Sequence, residues 1–152
     1  MNHQEVFSES VKKNFAYLVN EFGFSVVEDQ YDKSSYSCII VFQNKLRRVK
    51  LIWELKDSMF YFYVCKVSNS KKLALFRDES VDEFIIPALA RHYESQIDIR
   101  ELTNMNYYNP DLKVLDERVG NNANLLRKYG KEILSGNEWF NWKKKKVVSD
   151  KK

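Results

Sequence analysis

The stretch YSCIIVFQNKLRRVKLIWELKDSMFYFYVCKV, residues 36–67, decides the fold of this chain. Within it, apolar residues recur at every second position along 36–42, 46–55 and 59–67, and the short polar stretches QNK and KDS separate these segments. A period of two is typical of β-strands, and short polar connections favour antiparallel hairpins. Together with FSVVEDQY (24–31), which we interpret as a first strand, the pattern predicts an antiparallel meander of about four strands.

An amphipathic helix is predicted before the meander. Five apolar residues recur at spacings of four, four, three and four and form one stripe: Phe7, Val11, Phe15, Leu18 and Phe22. Asn2 and Glu5 have the spacing of a capping box, and Gly23 stands where a left-handed C-terminal cap belongs. The sequence therefore predicts one helix that spans the stripe and ends at Gly23.

Helices are also predicted after the meander. Ser80 and Glu83 have capping-box spacing before an apolar Phe-Ile-Ile run, and Pro87 is expected to break or kink that helix. Asn109 and Pro110 are typical of a helix start, with an Asn cap and Pro at the first helical position.

A second apolar stripe follows this start and ends at Ser135-Gly136. Its members are Leu112, Leu115, Val119, Leu126, Tyr129 and Ile133. The Gly-Asn-Asn at 120–122 leaves an interruption of this helix open. The order helix, strands, helices favours an α+β fold, with an N-terminal helix and C-terminal helices packed on the sheet. We find no internal repeat and no linker, so residues 1–142 are predicted to form one domain.

The positive charge of the chain is concentrated at its end. The formal net charge is +4, but residues 143–152 contain six Lys and one Asp, which leaves 19 basic and 20 acidic residues in 1–142. The charge of the chain as a whole therefore does not support nucleic-acid binding. We predict that 143–152 is a disordered basic tail. The first ten residues have neither a basic start nor an apolar stretch, so a cytoplasmic location is expected, with no membrane contact.

Residues that could perform chemistry are few. Cys38 and Cys65 lie in apolar strand-like segments and are expected to be reduced thiols that pack in the core. His3 and His92 are the only histidines, and no Cys or His pair has metal-ligand spacing. No phosphate loop, nucleophile elbow or dinucleotide motif is present. We predict a non-enzymatic protein without metal or cofactor, although an acid/base site assembled from scattered carboxylates remains a third possibility.

Two segments are candidates for contact with a partner. The basic stretch KLRRVK (45–50) and the aromatic stretch MFYFYV (59–64) are suited to nucleic acid, but the aromatic stretch lacks the glycines that let bases approach the rings. The simpler alternatives are a solvated strand face and a core strand. Interface hot spots favour Tyr and Arg. The predicted partner-binding residues are Arg47, Arg48, Lys50, Tyr61 and Tyr63.

The last aromatic residues follow the end of the final predicted helix. Trp139, Phe140 and Trp142 stand between Gly136 and the lysine run. Because each large aromatic side chain buries about 150–250 Å² and Gly136 permits a chain reversal, we predict that the three rings form a lid on the core. A binding patch for a partner is the alternative. A membrane anchor is not expected, because the cations cluster in sequence rather than on one helical face.

The order of these elements carries a resemblance. The chain has FAYLVNEFGF (15–24), a meander with VFQNKLRRVKLIWEL and MFYFYVCKV, and ANLLRKYGKEILSGNEWF (123–140). It resembles a diffuse group of small bacterial proteins that share a YLxxEFGF helix, an antiparallel sheet and an LLxKYGxxILxGN helix. Residues 68–109 match that group poorly. Some of its members are regarded as immunity proteins of polymorphic toxin or contact-dependent competition systems.

The resemblance implies a function in protein binding. It predicts a cytoplasmic protein that neutralises a cognate bacterial toxin, and it transfers no catalytic residue. A nucleic-acid-associated protein that uses the basic strand and the Lys-rich tail is the alternative. The two differ in the expected salt dependence, since phosphate contacts make affinity fall steeply with added salt.

Overall fold

The computed structural model describes residues 2–67, 83–89 and 114–139. Two helices open the chain, α1 (His3–Asn14) and α2 (Ala16–Phe22). The strands are β1 (Ser25–Asp32), β2 (Ser37–Gln43), β3 (Arg47–Glu54), β4 (Met59–Lys66) and β5 (Glu83–Ile85). Two helices follow, α3 (Leu115–Tyr129) and α4 (Lys131–Leu134). The predicted helix start at Asn109-Pro110, Phe140, Trp142 and the tail 143–152 lie outside the described residues.

The N-terminal stripe forms two helices instead of the single helix that was predicted. The capping box is present, because Asn2 Oδ1 accepts from the Glu5 N–H and the Glu5 carboxylate accepts from the Asn2 N–H. Phe15, with φ −100° and ψ 17°, ends α1 and precedes α2. Its N–H donates to the Val11 carbonyl at 2.9 Å. Gly23 ends α2 with φ 70°, which confirms the predicted left-handed cap.

The five strands form one antiparallel meander in the order β1-β2-β3-β4-β5. The α+β class predicted from the sequence is confirmed, with one more strand than expected. Cross-strand partners lie on the same face of a sheet, so the register defines two faces. We call the first face the core face; its central residues are Ile40, Leu51 and Phe62, which the register aligns. The opposite face, which bears Val41, Lys50 and Tyr63, is called the second face.

The fifth strand corrects a prediction. The spacing of Ser80 and Glu83 indicated a helix start, but Glu83–Ile85 is a strand paired with Tyr63–Cys65 of β4. Phe84 contributes its side chain to the core and is 4% exposed. The physical reason is that pairing with the edge of β4 supplies hydrogen bonds and buries Phe84, which outweighs the local helix signal.

Aromatic side chains fill the layer between the helices and the core face. Phe7 of α1 contacts Trp53 and Phe60, with ring centroids 5.9 and 6.4 Å apart. Phe15 meets Phe42 at 6.3 Å. All four phenylalanines are at most 1% exposed. The described helices that contact the sheet therefore pack on this one face.

The C-terminal helices complete the same layer. α3 continues through the Gly-Asn-Asn at 120–122, where an interruption had been left open. The break comes instead at Gly130, whose N–H donates to the Leu126 carbonyl at 2.7 Å. α3 is held to α2 by the Tyr17 hydroxyl, which donates to the Ala123 carbonyl at 2.8 Å. The N-terminal and C-terminal helices thus form one layer over the sheet.

Candidate protein-binding surface

The predicted aromatic strand presents its two kinds of ring on opposite faces. Phe60 and Phe62 of β4 lie in the core and are at most 1% exposed. Tyr61 and Tyr63 alternate with them and lie half-buried on the second face. β4 therefore has two different faces: Phe60, Phe62 and Val64 are buried in the core, and the tyrosines lie on the opposite side.

The two tyrosines form a flat aromatic pair. Their ring planes are within 5° of parallel, and their centroids are 6.4 Å apart, which is an offset stack. Burial and then the neighbouring Glu83 carboxylate raise the pKa of Tyr63. The pair combines a rigid apolar area with polar tips. Such side chains are common anchors in protein interfaces.

Two basic residues border the tyrosine pair. Lys50 of β3 stands directly opposite Tyr63, and Arg48 stands opposite Cys65. Arg48 is exposed and donates from Nε to the Gln43 Oε1 at 2.9 Å, and Lys50 is half-buried. The structure therefore brings four of the five predicted residues, Arg48, Lys50, Tyr61 and Tyr63, together on adjacent strands. We call these four the Arg/Tyr patch.

Apolar side chains between the strands complete the surroundings of the patch. Val41 faces Lys50 across β2 and β3 and is only 3% exposed. Ile52 stands opposite Tyr61 and is half-buried, and Ile85 is 36% exposed beside Tyr63. Around the patch the second face is therefore mixed, with Val41 buried, Ile52 half-buried and Ile85 exposed beside the two cationic side chains.

Arg47 does not belong to this surface, which corrects the sequence prediction. It lies on the core face and is 7% exposed. Its Nε donates to the Ile133 carbonyl at 2.8 Å, its Nη2 to the Glu138 carbonyl at 3.1 Å and its Nη1 to the Leu46 carbonyl at 3.0 Å. Burial lowers the pKa of Arg47, yet an arginine side chain remains protonated in proteins. The cation therefore binds the end of α4 to the start of β3.

Trp139 lies next to the buried guanidinium of Arg47. The Arg47 guanidinium lies 4.9 Å from the centroid of its ring and the Lys66 ammonium 5.3 Å from it. Phe84 contacts the ring from the core, with centroids 5.3 Å apart. Trp139 is half-buried, so it covers the rim of the core and keeps part of its surface outside. Gly136, with φ 85°, turns the chain before it.

The two cysteines are free thiols in surroundings that suppress their reactivity. Cys38 is on the core face, and burial raises its pKa to about 11. Cys65 is half-buried on the second face and donates to the Glu83 carboxylate at 3.6 Å. Burial and Glu83 together raise the pKa of Cys65 to about 12. A nucleophilic cysteine needs a lowered pKa. The pKa of both thiols is raised, so neither is activated as a nucleophile.

A groove lies between α1 and the start of α3. It measures about 420 Å³ and is lined in part by Ser10, Lys13 and Asp116. The Asp116 carboxylate already accepts from Ser10 Oγ at 2.8 Å, Lys13 Nζ at 2.9 Å and Asn14 Nδ2 at 3.0 Å. These contacts tie the two helices together. The groove is therefore explained by helix packing.

Within residues 2–67, 83–89 and 114–139, no group of three or more His, Cys, Asp and Glu side chains is arranged to hold a metal ion. No helix in these ranges combines the length and the apolarity needed to cross a bilayer.

Comparisons with protein-family models, with curated protein sequences and with solved structures find no match to this chain.

Proposed function

We propose that this chain is a non-enzymatic protein-binding domain and that it acts in the cytoplasm as an immunity protein, by binding and neutralising a cognate bacterial toxin. The observation that supports binding most directly is the Arg/Tyr patch, in which two stacked tyrosines stand beside two cationic side chains on one sheet face. The immunity function rests on the resemblance of both chain ends and the meander to the bacterial group described above.

The rigidity of the patch supports the same proposal. Its residues stand on β3 and β4, two strands paired over their full lengths, and the phenylalanines on the other side of β4 are fixed in the core. A preformed surface loses little conformational entropy when it binds a partner. An inhibitor that must neutralise a toxin at low concentration depends on this property.

Nucleic-acid binding receives less support from the contacts. The basic stretch KLRRVK would provide four cations, but the Arg47 guanidinium is sequestered by carbonyl groups on the core face. Lys45, Arg48 and Lys50 remain accessible in part. The chemistry of the second face is aromatic and apolar as much as basic, which favours a protein partner.

The test is a growth assay in bacteria. Each gene that neighbours the one for this chain is expressed alone and together with it. We expect one neighbour to arrest growth, this chain to restore it, and the two proteins to copurify. If no neighbour at this or any related locus is toxic, the immunity function is wrong.

Variants then locate the interface. We expect Tyr61→Ala or Tyr63→Ala to weaken toxin binding by about 30-fold or more, since truncation of a hot-spot aromatic costs about 2 kcal/mol or more. Tyr36→Ala is the matched control, because Tyr36 is 58% exposed in the turn before β2 and lies outside the patch. Melting temperatures of all variants show whether a loss of binding is a loss of folding. Binding that falls steeply with salt, to DNA or RNA instead of protein, would support the nucleic-acid alternative.

A further inference from the structure

Among the described residues, the first strand of the sheet has one unpaired edge. The strand order begins with β1, and among the described residues β1 pairs with β2 alone. In an antiparallel ladder, alternate residues direct their N–H and C=O groups away from the neighbouring strand. An edge strand of eight residues therefore presents a row of unpaired backbone groups, which is a template for another strand.

Apolar side chains are exposed along this edge. Val26 is 38% exposed, Val27 is 55% exposed and Tyr31 is 38% exposed, and they account for three of the seven large hydrophobic residues that are exposed in the described structure. In the central strands β2 and β3, Arg48 is the only exposed residue. Isolated apolar residues on a surface are ordinary, but several on one open strand indicate a contact surface.

The edge also has the features that proteins use to prevent aggregation. A bulge interrupts the register between Val26 and Glu28, and Glu28, Asp29 and Asp32 place three carboxylates on the strand. The bulge leaves a regular stretch of five residues, 28–32. This length is close to that of an ordinary short strand. Protection of the edge against aggregation would not by itself require the exposed valines and tyrosine. Selective pairing with another strand requires both the apolar residues and the charges.

The charges oppose pairing with a second copy of the chain in the register that would use the whole regular stretch 28–32. An antiparallel pairing of two β1 strands centred on Gln30 places Glu28 of each copy opposite Asp32 of the other. Like charges directly opposite each other in a sheet are destabilising. β1 contains no Lys or Arg to offset them. The same carboxylates favour a partner strand of opposite charge.

Glu28 is half-buried and, of the three carboxylates, accepts the fewest hydrogen bonds in the described structure. Asp29 accepts from Lys12 at 2.6 Å, Ser8 at 2.8 Å and Gln4 at 2.7 Å, so it is committed to α1. Asp32 accepts from the side chains of Ser34 and Ser35 in the following turn. Glu28 accepts from Gln30 Nε2 at 2.7 Å, and its remaining acceptor positions can receive a cation.

We propose that β1 binds an extended segment of another protein, in which Lys or Arg alternates with apolar residues, by adding it to the sheet edge as a sixth strand. Backbone hydrogen bonds provide the part of the affinity that does not depend on the sequence of the partner. Contacts with Glu28 and the exposed valines provide the selectivity. This surface is distinct from the Arg/Tyr patch, and the proposal does not depend on the identity of a toxin.

The experiment uses the full chain and a synthetic peptide of four Lys-Val repeats with blocked ends. Amide hydrogen exchange is followed by NMR with and without the peptide. We expect saturable binding that slows the exchange of β1 amides. A peptide of four Glu-Val repeats and a Lys-Val peptide with N-methylated backbone amides are expected to give no protection. Protection confined to other parts of the chain, or none at all, would show that the edge is not a strand-binding site.

Charge variants test the selectivity. Glu28→Lys is expected to weaken binding of the Lys-Val peptide by roughly three- to tenfold, with a smaller loss for Glu28→Gln, as expected for a cross-strand charge pair. Glu117→Lys makes the same change in net charge on an exposed position of α3 and should leave the affinity within about twofold of the wild type. Equal losses for Glu28→Lys and Glu117→Lys would mean non-specific attraction and would contradict the proposal.

Self-association is measured in the same series by sedimentation. We expect the free chain to remain monomeric at the concentrations used for NMR. A dimer whose formation protects the β1 amides would identify a second copy as the occupant of the edge and would overturn the assignment of a basic partner. If the growth assay fails while β1 binds the basic peptide, the immunity function falls and this inference stands.

Discussion

Arg47 is a buried cation whose described hydrogen bonds all end on carbonyl oxygens. Three carbonyl groups from two distant parts of the chain accept from it, at Leu46, Ile133 and Glu138. Carbonyl groups at the C-terminal end of a helix carry partial negative charge, which partly compensates a cation that has left water. The side chain thus stabilises the position of α4 relative to β3.

Substitution of Arg47 should therefore lower the stability of the fold. We expect Arg47→Ala to lower the free energy of unfolding by about 1–3 kcal/mol, because it leaves buried acceptors without a donor. Arg48→Ala is the matched control, since Arg48 is the next residue but is exposed on the second face, and it should change stability by less than about 0.5 kcal/mol. Urea denaturation of both variants measures the difference. Equal effects would show that the carbonyl contacts of Arg47 do not stabilise the fold.

The position of Arg47 could have been predicted from the sequence, but its charge was misleading. Along β3 the buried residues Val49, Leu51 and Trp53 stand at every second position, and Arg47 is two residues before Val49. The period of two therefore indicated the core face. Only the three-dimensional structure shows the carbonyl groups that make burial of a guanidinium possible, because they lie about ninety residues further along the chain.

At the scale of secondary-structure elements, one carboxylate connects polar side chains of α1 to the start of α3. Asp116 at the start of α3 accepts hydrogen bonds from Ser10, Lys13 and Asn14 of α1. The hydrogen bond from Lys13, then that from Ser10, lowers the pKa of the Asp116 carboxyl against a smaller opposing effect of burial. The ionised carboxylate is therefore the form that the folded protein favours.

The preference for the ionised form of Asp116 predicts that the stability of the fold depends on pH. Since the pKa is lower in the folded than in the unfolded state, the carboxylate stabilises the fold above the unfolded value of about 3.9 and loses this effect as the pH falls through the folded value. We expect Asp116→Asn to cost about 0.2–1 kcal/mol at pH 7, as for an exposed ion pair, and almost nothing near pH 2. Denaturant titrations across this range measure it. A cost that is the same at every pH would assign it to packing instead.

The ends of the elements were less predictable than their order. Each of the strands β1 to β4 begins and ends within a residue or two of its predicted bounds, because alternation marks both ends. β5 was missed, since three residues carry no measurable period and Glu83 also fits a capping box. The helix breaks at Phe15 and Gly130 were missed because the apolar stripes continue across them. At Gly130 a Cβ atom would lie 2.6 Å from the Leu126 carbonyl oxygen, a contact that no sequence pattern shows.

The candidate patch was predictable to the same extent as the strands. Alternation placed Arg48 and Lys50 on one side of β3, and the tyrosines of β4 followed from the same period. What the sequence could not supply was the register, which sets Lys50 opposite Tyr63 and Arg48 opposite Cys65. The hydrogen bond between Cys65 and Glu83 was equally hidden, because β5 itself was not predicted.

For the molecule as a whole, the excess positive charge lies in residues 143–152, after the predicted domain 1–142. Removal of residues 143–152 changes the formal net charge from +4 to −1. We expect this truncation to leave the melting temperature nearly unchanged, because the segment has only Val147 and Val148 to bury among its lysines. Differential scanning calorimetry measures the change.

Trp139→Ala serves as the comparison for the truncation. A fully buried tryptophan would cost about 3–5 kcal/mol, but Trp139 is half-buried, so we expect a cost of about 1–3 kcal/mol, to which its contacts with Phe84 and Arg47 contribute. A truncated chain that melts several degrees lower than the full chain would show that the lysine segment packs on the fold.

The contact between α1 and α3 has a consequence for how the protein is made. Ser10 and Asp116 are 106 residues apart, so at about 5–20 residues per second a ribosome needs roughly 5–20 s to supply the second partner after the first. From the addition of Lys66 until that of Asp116, the nascent chain carries α1 and the β1–β4 segments without its C-terminal helices. Aromatic surface that the finished fold conceals is then available to ribosome-associated chaperones. Synthesis, rather than collapse of the finished chain, therefore sets the earliest moment at which this core can close.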